Sequence, residues 1–321
     1  MLFIWKKVWV WVSLEDTRWV KKLPIQYWFP WTDNTFFDRA SLEQDSWAID
    51  TLVDATHSMI TKKWSEWTLW GLVYPNGIWF FLKALLWEVK SSWEEIYEHR
   101  FSLLESNTHP TLTLWLKTPV WSRSYALAMI ESLDLNAEVW GKFTVSVNLK
   151  ARRWERENDF DVNYLSENGF VANMLKVYLA ESLEKLDVAE NICLQSITLS
   201  FKKEVKDIEC ISSVDPIDYI TSSFSIEGSM ELLFENNSYQ EDYLAWKFKA
   251  LRILAEDRTH PYSEDDYPTF MLDLAKVVIT DRTPAFSLND ITKQSISFKW
   301  HYDVKERKAI EVYLKNTQAQ Y

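Results

Sequence analysis

The sequence predicts a mainly β protein with a few short helices, and three observations carry that prediction. Apolar and polar residues alternate with a period of two over most of the chain, the pattern of strands half-buried in a sheet. Helical spacing is confined to three short stretches. The same order of elements also occurs twice, once in each half, as a duplicated domain would give.

The strands are clearest at Thr111-Leu112-Thr113-Leu114, Phe143 to Leu149, Ile197 to Phe201 and Ser295 to Phe298. Helices are expected over Ile78 to Leu86, Phe170 to Leu186 and Tyr239 to Leu251. In the first half a strand near Thr32 to Arg39 leads to Lys63 through Val73, then to the helix ending at Leu86. In the second half Ile192 to Lys203 leads to Phe224 through Leu233, then to a helix ending near Arg252. Further on, His109 to Leu114 is matched with Tyr267 to Leu272, and Glu131 to Leu135 with Gln294 to Phe298. Each half closes on an alternating strand, Lys142 to Lys150 and Ala309 to Lys315. The organisation expected is an N-terminal strand or arm over 1–26, a first repeat over 27–153, a connecting segment with a helix over 154–190, and a second repeat over 191–321.

Glycine and tryptophan usage is inverted, with 5 Gly and 19 Trp in 321 residues. Ordinary usage of about 7% Gly would place roughly 22 in a chain of this length. Several tryptophans stand where local chemistry asks for glycine. Trp140-Gly141 separates two alternating runs where a tight hairpin wants positive φ. Trp93, Trp121 and Trp154 lie in polar, turn-like settings with no apolar period to bury an indole. The expectation is that most of these tryptophans occupy glycine positions, as when a reassigned stop codon read as Gly is translated as Trp. Trp67 or Trp70 would then stand where Gly228 stands in the second half. Trp28, Trp31 and Trp64 are the best candidates for genuine tryptophan, the first two inside the aromatic run 27–31.

The chain is long enough for one large or two ordinary domains. A formal charge of -12 and a pI near 5.0 argue against a protein that grips duplex nucleic acid, which needs a basic face. Cys193 and Cys210 are too few for a disulfide scaffold and lack zinc-site spacing. The start, apolar but broken by Lys6 and Lys7, carries no signal-peptide pattern, and no window reaches the length of a membrane span.

With Trp read as Gly at the turn-like positions, the chain resembles the tail tube proteins of long-tailed bacteriophages in their duplicated-domain form. The residues that carry the resemblance are Leu2 to Val12, Ser122 to Ser132, Phe224 to Phe234, Lys249 to Ile253 and Arg282 to Ile291. It implies two tail-tube-like β-sandwich domains whose inner sheets join their neighbours in a ring, three copies forming a pseudo-sixfold ring and the rings stacking into a hollow tail. It also implies assembly in the host cytoplasm, a place in the virion tail, contacts with the tape-measure and other tail proteins, and passage of DNA without specific binding. Negative charge along the bore would repel DNA phosphates.

No catalytic, cofactor-binding or metal-ligating residue is expected, and the chain is not read as an enzyme. There is no GxGxxG, Walker or GxSxG motif. The five histidines, His57, His99, His109, His260 and His301, show no metal spacing, although His99 and His109 could be paired in space. Glu264-Asp265-Asp266 with Glu256-Asp257 lacks the alternation and glycine of a calcium loop. Lys62-Lys63 and Arg152-Arg153 with Arg156 are read as exposed charge. Glu94 and Glu95, adjacent on a strand, point to opposite faces and cannot act as a hydrolytic pair. The alternative to a tube subunit is a Trp-rich carbohydrate-binding or adhesin β-protein whose indoles stack on sugar rings.

Overall fold

The computed structural model describes residues 5–45, 57–93, 96–104, 106–158, 160, 164–264, 266–286, 291–304 and 310–318. It is a mainly β protein built on antiparallel pairing. In chain order the strands of the first half are β1 (Trp9–Leu14), β2 (Tyr27–Trp28), β3 (Trp31–Asp45) and β4 (His57–Leu72). Helix α1 (Gly77–Leu86) follows, then β5 (Trp87–Trp93), β6 (Tyr97–Leu103), β7 (Leu112–Lys117), β8 (Ser122–Glu138), β9 (Thr144–Ala151) and β10 (Glu155–Glu157). The second half carries β11 (Leu175–Ala180), β12 (Leu194–Ile208), β13 (Asp218–Leu233), α2 (Ser238–Leu244), β14 (Phe248–Glu256), β15 (Thr269–Ala285), β16 (Lys293–Trp300) and β17 (Ile310–Asn316).

Eight strands form a continuous antiparallel sheet in the order β3-β4-β9-β8-β12-β13-β16-β15. Alternation decides its faces. Leu133, Leu135, Val145, Val147, Leu199, Phe201, Ile226 and Ile296 point to one side and are buried. Their polar neighbours point to the other side. The buried side is covered by α1, apolar on every face with only Lys83 not fully buried, and by shorter ladders that include β1 with β7 and β11 with β14. Strands β8 and β15 serve both layers. The first part of β8 pairs with β7 and β10 and its second part with β9 and β12, and the strand crosses between layers through Leu127, Ala128, Met129 and Ile130, all fully buried. A bulge between Ile130 and Ser132 makes that bend.

Three ladders of the first half and three of the second break register at comparable places. β3 meets β4 with breaks in register at Trp31/Asp33 and Ser41/Leu42, and β12 meets β13 with breaks at Leu194/Ser196 and Glu204/Val205. β8 on β9 breaks at Ile130/Ser132, and β15 on β16 at Ile279/Asp281. β7 on β8 breaks at Leu112/Leu114, and β14 on β15 at Lys249/Leu251. In this correspondence Trp67, opposite Leu149, takes the place of Gly228, opposite Phe298.

The later strand matches drawn from sequence differ from this pattern by one strand. By register His109 to Leu114 leads into β7, whose counterpart is β14, not Tyr267 to Leu272, which leads into β15. Likewise Glu131 to Leu135 on β8 corresponds to β15 rather than to Gln294 to Phe298, and the strand over Lys142 to Lys150 to β16 rather than to Ala309 to Lys315. The hairpin β5–β6 stands between α1 and β7, with no such hairpin between α2 and β14, so alternating strands slide past one another in a linear match while keeping their period.

Two helical expectations are corrected. Phe170 to Leu186 is not a helix: two short 3-10 turns, Ala172–Met174 and Leu183–Val188, flank β11, which pairs with β14 over six residues. Pairing across the chain overrides a local helical pattern that a short segment cannot hold alone. The helix expected over Tyr239 to Leu251 ends at Leu244. Trp246 turns the chain with φ 50°, and β14 then buries Leu251, Ile253 and Ala255 by alternation. The expected helix over Ile78 to Leu86 is present as α1.

Candidate assembly surface

The polar face of the eight-stranded sheet is knitted across its strands. Thr68 Oγ1 on β4 donates to Asn148 Oδ1 on β9 at 2.7 Å, and Asn148 Nδ2 donates to Ser132 Oγ on β8 at 2.7 Å. On the second half Glu227 of β13 receives Lys202 of β12 at 3.3 Å and Lys299 of β16 at 3.1 Å. The face carries both signs. Glu66, Asp134, Glu138, Glu231 and Asp281 lie among Lys150, Lys293 and Arg39, so the net charge of -12 is not concentrated there.

Both ends of this sheet are open edges among the described residues. Every register partner of β3 is on β4. The second part of β15 pairs with β16 on one side, while β14 and β17 pair with its first part, up to Val278 and Leu274 respectively. Pro284 lies in that second part, where a missing N–H is tolerated because the strand is an edge. Phe37 on β3 is 49% exposed and Phe286, just past β15, is 74% exposed. Two buried polar atoms without a hydrogen-bond partner sit on these edges, Asn34 Nδ2 on β3 and Arg282 Nη2 on β15. Arg282 otherwise donates through Nε to Gln294 at 2.8 Å and through Nη1 to Gln240 at 3.0 Å. Asp38 accepts from Ser65 Oγ at 2.9 Å and from Arg123 Nη1 at 3.0 Å, and Arg39 Nε donates to Glu66 at 2.9 Å. Beside β3 a groove of ≈ 540 Å³ runs between Arg39, Trp64, Arg153, Trp154 and Asp215.

The tryptophans divide by backbone. Trp19, Trp87, Trp140 and Trp246 have φ of 59°, 75°, 63° and 50°, and among the described residues the one other non-glycine with positive φ is Leu127. Trp140 is the third residue of the β8–β9 turn, closed by Gly141 N–H donating to Glu138 O at 2.9 Å, and its side chain is 99% exposed. Trp87 follows α1 and Trp246 follows α2, helix ends at which a positive-φ residue is usually glycine. Trp11, Trp67, Trp79 and Trp115 are instead core residues. Trp28, Trp31 and Trp64 are half-buried: Trp28 meets Tyr164 edge-on at 4.8 Å, and Trp64 Nε1 donates to Glu66 at 2.8 Å. Trp121 and Trp154 sandwich the Arg123 guanidinium at 4.1 and 4.0 Å, a cation–π arrangement that their polar surroundings in sequence did not suggest.

The remaining sequence candidates are structural in their contacts. His99 and His109 are not brought together. His99 hydrogen-bonds Ser91 and Asn316, and burial lowers its pKa. His109 Nδ1 accepts from the buried Lys203 Nζ at 2.9 Å, and burial, followed by the Lys203 charge, brings its pKa down to about 4. Asp257 caps the turn at Thr259 and His260, Glu256 pairs with Arg258, and Asp266 with Lys315. Lys62 joins Asp207 and Glu209, and Arg153 joins Asp215 at 3.1 Å. Glu94, Glu95, Asp265, Leu2 to Ile4 and Ser287 to Asp290 lie outside the described residues. Among the described residues no cluster of His, Cys, Asp or Glu could hold a metal ion, and no helix is long and apolar enough to cross a membrane.

The sequence matches no protein-family profile, and no curated protein matches it.

Proposed function

We propose that the chain is a structural subunit that self-assembles into stacked rings forming the tail tube of a long-tailed bacteriophage, the conduit for DNA ejection. The observation that carries this reading is the eight-stranded sheet with one polar face and an open edge at each end. Unpaired strand edges are a hazard that closure into a ring removes. The recurrence of one pairing pattern in both halves supports the duplicated form, in which each chain supplies two units and three chains make a pseudo-sixfold ring. Contacts of that ring with its copies along the axis would build the stack, with tape-measure and other tail proteins as further partners. A largely polar face of mixed sign, with Phe37, Trp64 and Trp70 among its side chains, offers a passing polyanion no continuous basic surface to hold it.

The test is negative-stain electron microscopy of the purified chain beside a variant with Trp19, Trp87, Trp140 and Trp246 changed to Gly. Hollow rings or tubes are the expected product, more abundant in the variant. A dispersed, folded monomer from both chains would refute the tube reading, and retention of that monomer on glycans would favour the carbohydrate-binding alternative.

A further inference from the structure

We infer that residues 34–39 of β3 in one copy of this chain pair antiparallel with residues 281–285 at the end of β15 and the adjoining Phe286 in a second copy, in a register the chain already displays within itself. The inference stands on the sheet and does not require that the chains form a tube.

Inside the chain, the two halves are joined by β12 lying along β8, with Ile197 opposite Ala137, Leu199 opposite Leu135, Phe201 opposite Leu133 and Lys202 opposite Ser132. The bulges described above identify β3 as the counterpart of β12, and β15 as the counterpart of β8. The edge of β12 used in the internal joint is therefore the edge that β3 leaves open, and the edge of β8 used there is the edge that β15 leaves open. One chain holds one made joint and the two unmade halves of another. Joining them between copies is a heterologous, head-to-tail contact.

Carrying the internal register across fixes the partners. Asn34 falls opposite Phe286, Phe36 opposite Pro284, Phe37 opposite Thr283, Asp38 opposite Arg282 and Arg39 opposite Asp281. The register, set by main-chain pairing alone, places Asp38 against Arg282 and Arg39 against Asp281. Opposite charges directly across a ladder stabilise it, and a slip by one residue would turn each side chain to the other face. Asp38 and Arg282 take the places of Phe201 and Leu133, so their side chains belong to the core side of the sheet. There Arg282 Nη2 has no hydrogen-bond partner, its guanidinium lying over the Phe234 ring at 5.2 Å, and the Asp38 carboxylate, holding Ser65 and Arg123, keeps lone pairs for a second guanidinium. The contact also covers Phe37 and Phe286, 49% and 74% exposed in the single chain. Pro284 has no N–H to give, so the ladder has fewer main-chain bonds than the internal joint and depends more on its two charge pairs.

The experiment uses the full chain with Cys193→Ser and Cys210→Ser, into which Phe37→Cys and Thr283→Cys are introduced together. Directly opposed residues bring Cβ atoms to about 4.5–5.5 Å, close to disulfide reach. Mild oxidation is expected to give a ladder of covalent oligomers linked 37 to 283. The slipped pair Phe37→Cys with Asp281→Cys is expected to give none beyond dimer. Equal linking in both pairs, or no linking beyond that of the single-cysteine chains, would overturn the joint. In sedimentation, Arg39→Asp and Asp281→Arg should each weaken self-association at least tenfold and the double exchange should restore it, while circular dichroism shows each variant folded. Failure of the double exchange to restore association counts against the register. Covalent chains that form no ring or tube in the microscope would leave the joint standing and remove the tube reading. Rings without the 37–283 link would do the reverse.

Discussion

Replacing Trp140 by glycine should make this protein more stable, although tryptophan is the largest side chain and glycine the smallest. The indole is 99% exposed and packs on nothing that its removal would uncover. Its backbone sits at φ 63°, in the left-handed region, where a Cβ costs roughly 1–2 kcal/mol. Glycine removes that cost and adds about 0.5–1 kcal/mol of entropy lost from the unfolded chain. The balance is a gain of about 0.5–1 kcal/mol, a shift of a degree or two in the melting temperature of a chain this size. Trp140→Ala is the decisive companion. It removes the same indole but keeps the Cβ, so it should gain nothing. The assay is urea unfolding of the three proteins followed by circular dichroism. A Trp140→Ala chain as stable as Trp140→Gly, or a Trp140→Gly chain less stable than the parent, would refute the backbone argument and with it the view that the left-handed tryptophans occupy glycine positions.

Three further outcomes follow from other sites. Gly228→Ala should destabilise by about 1–3 kcal/mol through overpacking, because an added Cβ would collide with Phe298 Cζ and lie 2.8 Å from Thr198 O; an unchanged urea midpoint would show that the strands part freely there. His109, with a folded pKa of about 4 against an ordinary 6.5, binds its proton more readily when unfolded. Stability should therefore fall as pH drops from about 6.5 toward 4, and His109→Gln should flatten the melting temperature over that window; an equally steep profile would clear His109 of the effect. Glu15, buried, accepts from Thr111 Oγ1 at 2.6 Å, Thr113 Oγ1 at 2.9 Å, Leu127 N at 2.8 Å and Trp19 N at 2.9 Å. Glu15→Gln turns one acceptor into a donor facing donors and should cost about 1–3 kcal/mol, read by thermal unfolding; a loss within error would mean the four bonds carry no net stability.

The sequence by itself determined which segments alternate. That was enough for the β class and for the strands within Thr32 to Arg39, Lys63 to Val73, Ile192 to Lys203 and Phe224 to Leu233, because a period of two is set by the pleat of a single strand, while α1 followed from its helical spacing. It also marked the turn at Trp140 as one that needs positive φ, since a tight turn is a local demand. What the alternation could not say is which strand lies beside which. Every strand of this face reads alike, so Glu131 to Leu135 matched Gln294 to Phe298 until the bulges at Ile130/Ser132 and Ile279/Asp281 tied β8 to β15. The strand within Phe170 to Leu186 was hidden for a related reason: its helical pattern is local and its partner β14 is more than sixty residues away. The two open edges, with Asp38 and Arg39 on one and Asp281 and Arg282 on the other, exist only once the sheet is assembled, because an edge is defined by a neighbour that is missing and no stretch of sequence records an absence in space.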